Sequence, residues 1–328
     1  MSGVEVLIVS RRYENTRKCV ESVLAFKSCR VFVVVNGTNA MTEDYLRAVQ
    51  GGNPALRYVT FDQKVEKSKA RNSALDNALG EIIYFIDDDA YAEEDIAKLA
   101  SQKFEQYPGF SFIGGPNLTP ASSVFFQRIA GYVLSSPFTA FNMRVRFARG
   151  GREMPCDDKA LTLCNLAFRR KVFESDGIYF DHRLYYNEEN LFLQRYIAKG
   201  RKMLYCPALA VYHERRKNFR SFAEQVFRSG EGRGMMTLIM PRSLSAVYVL
   251  PFIFCVYLVS LVFYGANIFR VPLAVYAGLN IINAVFAASK DRQKALTFAV
   301  MLVMPLVSHI SYGAGFVWGL GRQSVCRQ

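Results

Sequence analysis

The sequence lacks the cysteine patterns that build disulfide-stapled domains or structural zinc sites. Its seven cysteines are odd in number and contain no CxxC pair, which argues against a closed disulfide framework and predicts reduced, mostly buried thiols. Disorder is excluded as well, because 51% of the residues are hydrophobic and 14% are aromatic. No internal repeat or low-complexity segment is visible. With 328 residues, the chain can hold one large domain and a smaller second one.

Charge is scarce in the last third of the chain. Residues 243–269, 271–289 and 295–321 form stretches of 27, 19 and 27 residues with no charge apart from His309, and about 20 apolar residues suffice to cross a bilayer. The sequence therefore predicts a first domain over 1–240 and a membrane domain over 241–328. This second domain is expected to hold two to three transmembrane helices, at about 244–268, 271–289 and 295–320. The first should span despite Pro251, whereas the third can instead be interfacial.

Basic residues predict how these helices are oriented. Five lysines and arginines precede the first span, and Lys290, Arg292 and Lys294 precede the third, which places both regions in the cytosol by the positive-inside bias. The first residues carry no basic segment, so we expect no signal peptide. The chain is thus expected to be a multi-pass protein of the inner cell membrane. Its net charge of +13 lies largely beside the spans, and with no nucleic-acid motif present we expect no nucleic-acid partner.

The segment 124–147 has a mixed character. It combines aromatic rings with Arg128, Arg144 and Arg146. Such a segment can lie in a membrane interface, or it can form an ordinary core-facing helix and loop. The sequence leaves both possibilities open.

The first 240 residues alternate short apolar runs with helical patterns. Helical spacing covers 16–25, with Asn15 as a possible cap, and also 41–49 and 68–78. The nearly continuous β-branched runs, which are typical of buried parallel strands, are 4–10, 30–35, 56–60 and 81–86. This βαβα order predicts a doubly wound α/β sheet that binds its ligands beyond the carboxyl ends of the strands.

Three adjacent carboxylates end the fourth predicted strand, in the run IIYFIDDD over 82–89. Asp87, Asp88 and Asp89 repel one another, so a cation or solvent has to compensate them. In an extended chain Asp87 and Asp89 share a face, and Mg²⁺ takes one or two carboxylates together with phosphate oxygens of a substrate. The alternative is a solvated turn that caps a helix beginning near Glu93. The strand context favours the metal site.

Several ordered motifs over residues 4–240 resemble one known family. In chain order they are LIVS, VFVVVNGT, KSKARNSALDNALGEIIYFIDDDA, GGPNLTP, CNLAFRR, YFDHRLYYNEEN and GRKMLYCPALAVYHERR. They are similar to the family-2 inverting glycosyltransferases of GT-A fold, and more narrowly to the membrane-anchored members that build bacterial surface polysaccharides. The resemblance implies a Rossmann-like GT-A catalytic domain followed by transmembrane helices, a nucleotide-sugar donor, and Mg²⁺ or Mn²⁺ as the cofactor.

The resemblance also implies roles for individual residues. The three aspartates match the DXD motif, in which Asp89, together with Asp87, binds the metal, and Asp87 or Asp88 lies near the ribose. Val35 stands where the family usually has the aspartate that reads the nucleobase. Asn36 can still bond a base edge, but the identity of the nucleotide stays open. The full set of donor contacts is Ser10, Asn36, Lys69, Arg71, Asp87 and Asp88.

The acidic pair Glu188 and Glu189 resembles the family's E-D motif, whose second acid is generally the base. An inverting transfer needs a carboxylate within hydrogen-bond reach of the acceptor hydroxyl, so Glu189 is the candidate and Glu188 the alternative. The pair can also simply favour a helix N-terminus after Asn187. His213 follows a strand-like run, at a place where some relatives have a histidine near the metal. It is therefore a third candidate metal ligand.

The expected function is transfer of one sugar from a nucleotide-diphosphate sugar to a hydroxyl of a polyprenyl-linked glycan at the cytoplasmic membrane face. Single transfer is expected because Ser229 replaces the tryptophan of the QxxRW motif of processive synthases. Two alternatives remain. One is transfer to polyprenyl phosphate itself, which needs no general base. The other is a non-catalytic membrane scaffold or nucleotide-sugar sensor.

Overall fold

The computed structural model describes residues 3–264 and 267–322. The strands in this part of the chain are β1 Val4–Ser10, β2 Arg30–Val35, β3 Leu56–Thr60, β4 Ile82–Asp87, β5 Ala90–Tyr91, β6 Phe112–Gly114, β7 Asn117–Leu118, β8 Met154–Cys156, β9 Asn165–Arg169, β10 Met203–Tyr205 and β11 Val211–His213. The α-helices are α1 Tyr13–Leu24, α2 Ala40–Gly52, α3 Lys67–Asp76, α4 Ile96–Gln106, α5 Phe125–Ser135, α6 Pro137–Ala140, α7 Arg170–Asp176, α8 Glu188–Ala198, α9 Phe219–Ile239, α10 Ala246–Ser260, α11 Val271–Lys290, α12 Lys294–Met301 and α13 Met304–Gly321.

A large sheet with strand order β3-β2-β1-β4-β9-β6-β10-β8 contains the four strands predicted from the sequence. These four, β1 to β4, are mutually parallel neighbours. Alternate residues of β1 enter two separate apolar cores, with Val6 and Ile8 in one and Leu7 in the other. Helices therefore cover both faces of the sheet, which confirms the predicted doubly wound α/β class. The predicted strand ends are correct except at β4, which is shifted by one residue.

Two antiparallel pairings, which the sequence did not predict, bring distant residues to the end of β4. Strand β9 lies antiparallel between β4 and β6, with Asn165 opposite Ile86. Cys164, one residue before β9, therefore comes next to Asp87. A second sheet has the order β5-β11-β7, and β11 pairs antiparallel with β5 so that His213 lies opposite Ala90.

Two predicted helix starts differ from the structure. Helix α1 begins at Tyr13, so that Asn15 lies inside its first turn and not at the N-cap. The helix expected from about Glu93 begins only at Ile96 and is capped by the side chain of Asp95. It starts later because β5 directly follows the three aspartates, which therefore do not cap this helix.

The chain divides into two units, one of Met1–Pro120 with Val145–Glu214 and one of Ala121–Arg144 with Arg215–Gln328. The predicted boundary at residue 240 does not coincide with this division, because α9 belongs to the second unit. The segment from residue 124 begins with α5, a helix with one buried face, and its place in a membrane interface stays a prediction. The buried face of α5 packs Ile129 and Val133 against residues of α11 and α12.

Two helical stretches in the described residues are long and apolar enough to cross a membrane, Asn267–Lys290 and Lys294–Gly321. The first predicted span differs from the expectation. Helix α10 contains only 15 residues, fewer than the ~20 that a span requires. Hydropathy did not reveal that this helix ends at Ser260. The third predicted segment is helical as far as Gly321.

Within the second unit, α9 and α13 pack with their backbones in close contact. Gly230 and Gly234 of α9 face Gly315 and Gly319 of α13. A Cβ atom at any of these four positions would overlap a backbone carbonyl oxygen of the other helix. Small residues four apart allow two helix backbones to approach closely. The four glycines therefore set the distance between the helices.

Gly319→Ala is expected to lower the free energy of unfolding by about 1–3 kcal/mol, because the added methyl group forces the two helices apart. Gly278→Ala is the matched control, since Gly278 lies on α11 with no atom within 4 Å of an added Cβ. That exchange should raise stability by up to ~1 kcal/mol through helix propensity. Thermal unfolding of the purified protein in detergent measures both, and equal midpoints for the two variants would contradict the close packing.

Candidate active site

The three aspartates after β4 lie in two different environments. Asp88 is buried, and its Oδ2 accepts the backbone N–H of Arg11 at 2.7 Å. Burial raises the pKa of Asp88 to about 7. Asp87 and Asp89 remain partly exposed. The structure thus has the alternation expected of an extended chain, with Asp87 and Asp89 on the open side.

His213 completes a group of possible metal ligands with these aspartates. Its Nε2 lies 3.0 Å from Oδ1 of Asp89. A carboxylate oxygen of Asp87, a ring nitrogen of His213 and Sγ of Cys164 all lie within 4.8 Å of one another. Oxygen, nitrogen and sulfur donors suit a divalent ion. The fold therefore brings together the three predicted ligands and adds Cys164, which sequence reasoning missed.

Arg71 ties this group to the acidic pair on α8. Its Nη1 donates a hydrogen bond to Oε1 of Glu188, and its Nη2 lies 3.5 Å from Oδ1 of Asp87. Both partners of the first pair are buried, with 7% and 2% of their side chains exposed. Burial opposes the charge of Arg71, but the carboxylates of Glu188 and Asp87 outweigh it and raise the pKa of Arg71. Its guanidinium is thus bound to protein carboxylates, a role that the family resemblance did not imply.

Glu188 and Glu189 occupy the first turn of α8, as their spacing predicted. Burial raises the pKa of Glu188 to about 7. Glu189 is only half-buried, and among the described residues no hydrogen bond or ion pair engages its carboxylate. The start of α8 is held in place by Asp158, which accepts hydrogen bonds from Asn190 at 3.1 Å and Gln194 at 2.5 Å. Of the two acids, Glu189 is the one available to a ligand.

Lys69 and Arg71 lie on different faces of α3. Helix residues are about 100° apart, so Arg71 shares its face with Lys67, four positions earlier, and not with Lys69. Lys69 instead lines a cavity of about 540 Å³ that also includes His182. The ammonium of Lys67 lies 5.6 Å from the ring centre of Tyr185. The helical period therefore indicates Lys67 as the lysine nearer to the acidic groups.

A cluster of cations surrounds Tyr185. Arg11 Nη2 lies 3.5 Å from the tyrosine hydroxyl. This contact, together with the charges of Arg11, Lys67 and Lys64, lowers the pKa of Tyr185. Arginine and lysine side chains are the usual binders of phosphate groups. Sequence reasoning missed this cluster because its members come from three segments far apart in the chain.

Ser10 and Asn36 are both engaged by the protein itself. Ser10 Oγ is buried and lies 2.6 Å from the hydroxyl oxygen of Thr16. The side-chain amide of Asn36 donates to the carbonyl of Val65 at 3.0 Å and accepts its N–H at 2.8 Å. These two bonds use one donor and the acceptor that a base edge would need. The predicted donor contacts of Ser10 and Asn36 remain predictions.

The comparison of the whole sequence with protein families agrees with this arrangement. The family described as Glycosyl transferase family 2 matches residues 6–177, a range that contains the aspartates, Arg71 and Cys164. The chain belongs to this family. Its members transfer sugars, so the chain is a glycosyltransferase. The motifs from LIVS to CNLAFRR fall within the matched range.

Individual proteins resemble this glycosyltransferase over most of its length. The mannosyltransferase of Pyrobaculum calidifontis, solved in complex with GDP-Man and Mn²⁺, superposes with a TM-score of 0.62 at 15% identity and covers 94% of this chain and 86% of its own. That likeness confirms the fold. The glucosyl-dolichyl phosphate glucuronosyltransferase of Haloferax volcanii is 24% identical over 250 residues, which cover 71% of this chain and 75% of the relative.

Proposed function

We propose that this glycosyltransferase moves a single sugar, with inversion, from a nucleotide-diphosphate sugar to a hydroxyl of a lipid-linked glycan. The reaction takes place at the cytoplasmic membrane face, depends on a divalent ion and serves surface-polysaccharide biosynthesis. The observation that carries the proposal is the half-buried Glu189, which has no partner among the described residues. It lies beside Glu188, which Arg71 ties to Asp87. The candidate base and the candidate metal site are thus connected through Arg71 and Glu188.

The donor half of the proposal rests on charge and ligand type. Asp87, Asp89 and His213 offer oxygen and nitrogen ligands, and the cations around Tyr185 offer partners for a diphosphate. A structural neighbour was solved with GDP-Man and Mn²⁺, which supports a nucleotide sugar and a divalent ion here. The nucleotide itself stays open, because Val35 occupies the usual position of the base-reading acid.

The residues divide the chemistry between them. Asp87, Asp89 and His213 would hold a divalent ion, which would supply charge stabilisation for the departing nucleoside diphosphate. Glu189 accepts the proton of the acceptor hydroxyl as its oxygen forms the new bond to the anomeric carbon. The bond to the diphosphate oxygen breaks on the opposite face, so the configuration inverts. Arg11 and Lys67 hold the negative charge that accumulates on the leaving group.

The acceptor half rests on the second unit and on one relative. The Haloferax volcanii relative is named for glucosyl-dolichyl phosphate, a sugar already carried on a lipid. In the second unit, a cavity of about 690 Å³ lies between α10 and α13. Apolar residues line most of it, among them Val256, Val259 and Val317, and the lining also includes Arg322, which pairs with Glu231 at 3.2 Å. An apolar groove with a cation in its lining suits a lipid chain that carries phosphate.

The alternative acceptor is polyprenyl phosphate itself. The name of the same relative contains dolichyl phosphate, a lipid phosphate of this class. A phosphate oxygen would then attack, and no base would be needed. The size of the product and its lability to acid or alkali separate the two acceptors. The sensor alternative rests on Val35 alone, and it predicts no turnover with any donor.

The direct test is a panel of nucleotide sugars with Mg²⁺ or Mn²⁺, scored by release of nucleoside diphosphate from the full-length protein in detergent. We expect release with at least one donor. Asp89→Ala should lower the rate by at least about 100-fold, because it removes charge stabilisation of the leaving group. Asp44→Ala is the matched control, since Asp44 is exposed and pairs with Arg47 on the surface of α2. Equal rates in both variants would refute the metal role.

A further inference from the structure

The sulfur of Cys164 lies within 4.8 Å of ligand atoms of both Asp87 and His213. We propose that Cys164 is a ligand of this ion, so that the site prefers softer metals than an all-oxygen site does. The inference rests on the divalent-ion site of the proposed function, and it adds a ligand that the aspartate motif does not contain. It predicts that Zn²⁺ and Co²⁺ bind through sulfur, whereas Mg²⁺ binds through oxygen alone.

The geometry comes from three different strands. Asp87 ends β4, Cys164 immediately precedes the antiparallel β9, and His213 ends β11 in the second sheet. One ligand atom from each lies within 4.8 Å of the other two. In a zinc site, where each ligand atom lies about 2.0–2.3 Å from the metal, the distances between ligand atoms are somewhat shorter than 4.8 Å. Small side-chain adjustments are therefore enough to close the three around one ion.

Neighbouring contacts hold Cys164 in this position. Asn165, the next residue, is fully buried and donates hydrogen bonds from its amide to the carbonyls of Pro116 at 3.1 Å and Leu209 at 2.5 Å. Its oxygen accepts the hydroxyl of Tyr84 on β4. This network fixes the start of β9 against β4 and against the segment that leads to β11. The cysteine is thus anchored to the strands that carry the two other ligands.

The chemistry of the donor set decides the metal preference. Thiolate and imidazole select Zn²⁺ and its neighbours, whereas Mg²⁺ takes oxygen ligands and coordinates sulfur poorly. Binding through Cys164 forms a sulfur–metal bond and releases the thiol proton to solvent. Asp89, 3.0 Å from His213, is placed to complete the set. The simplest alternative is that Cys164 serves only the apolar core around it, in which it also takes part.

Titration of the metal-free, full-length protein with Co²⁺ distinguishes a Cys164 that binds the metal from a Cys164 that only packs in the apolar core. If sulfur is a ligand, the complex shows the near-ultraviolet thiolate-to-cobalt charge-transfer absorption, and Cys164→Ser abolishes it. Cys206→Ser is the matched control, because Cys206 is equally buried in the same core but contacts Glu153 instead of the aspartates. It should leave the absorption intact. This readout needs neither donor nor acceptor, so it is independent of transfer activity.

Competition with a chromogenic zinc chelator gives the second measurement. Cys164→Ser should weaken Zn²⁺ binding by about 10-fold or more, as the loss of a soft ligand implies. Its Mg²⁺ affinity should stay within about two-fold, because Mg²⁺ does not need the sulfur. If the metal-free Cys164→Ser variant has a lower melting temperature than the metal-free wild type, Cys164→Ala replaces it in both measurements. Unchanged cobalt absorption, or unchanged Zn²⁺ affinity in folded variants, overturns the proposal. Absence of turnover with every donor would instead refute the proposed function.

Discussion

Glu189→Gln is expected to lower the rate of sugar transfer by about 10²- to 10⁴-fold, the usual contribution of a general base. The amide keeps the size of the side chain but cannot accept the proton of the acceptor hydroxyl. Because Glu189 has no partner among the described residues, its loss should leave the fold and the affinity for the donor nearly unchanged. Steady-state kinetics with a fixed donor, together with a thermal melt, measure both parts of this expectation.

Two further variants sharpen the assignment of the base. Glu174→Gln is the control, since Glu174 lies on α7, is largely exposed and pairs with Arg170 one helical turn away. Glu188→Gln tests the alternative, and we expect it to act mainly on stability, because Glu188 is buried against Arg71. A fully active Glu189→Gln enzyme would exclude the hydroxyl mechanism. It would favour an acceptor whose phosphate oxygen attacks without a base.

Arg71→Met is expected to lower the free energy of unfolding by about 3–5 kcal/mol, the cost of leaving one partner of a buried ion pair alone. Methionine fills much of the same volume but leaves the buried carboxylate of Glu188 without its cation. The double variant Arg71→Met, Glu188→Leu removes both charges and should recover most of the loss. Chemical unfolding of the wild type, of the single variants Arg71→Met and Glu188→Leu, and of the double variant completes the double-mutant cycle.

The loss in Arg71→Met should depend on pH. Burial raises the pKa of Glu188 from 4.5 to about 7, so the folded state holds this proton more tightly than the unfolded chain does. Stability from this group is full below the unfolded pKa and is lost as pH rises through the folded pKa. Without Arg71 the folded pKa rises further. The variant should therefore lose more stability at pH 8 than at pH 5, and an equal loss at both would contradict the charge-based explanation.

Much of the fold could be predicted because β1, β2 and β4 are buried on both faces. A strand in the middle of a doubly wound sheet needs apolar residues at nearly every position, so these three runs stand out from their surroundings, whereas β3 lies at the sheet edge and is only partly buried. Helix starts were harder to predict. Asn15 looked like a cap, but α1 begins earlier at Tyr13, which shows that a capping residue type alone does not fix a terminus.

The candidate site could be predicted where its residues are neighbours in sequence. The alternation of Asp87 and Asp89 followed from strand geometry, and the acidic pair on α8 followed from its motif. Cys164 could not be predicted in the same way, because only the antiparallel insertion of β9 brings it to the end of β4. Lys69 stays a predicted donor contact, and the placement of Lys67 beside Arg71 was predictable in principle, since a helical period of 3.6 residues puts these two on one face.

The glycine contact between α9 and α13 limits how this enzyme can be shortened for experiments. A truncation at residue 240 would keep α9 but remove α13, exposing a strip of helix backbone that has no side chains to shield it. Such a fragment is prone to aggregate. A fragment without this exposed strip would have to end before Phe219, only six residues after His213, and it would still carry Ala121–Arg144 of the second unit. A cut at residue 240 therefore passes through the second unit, because α9 belongs to that unit together with α13.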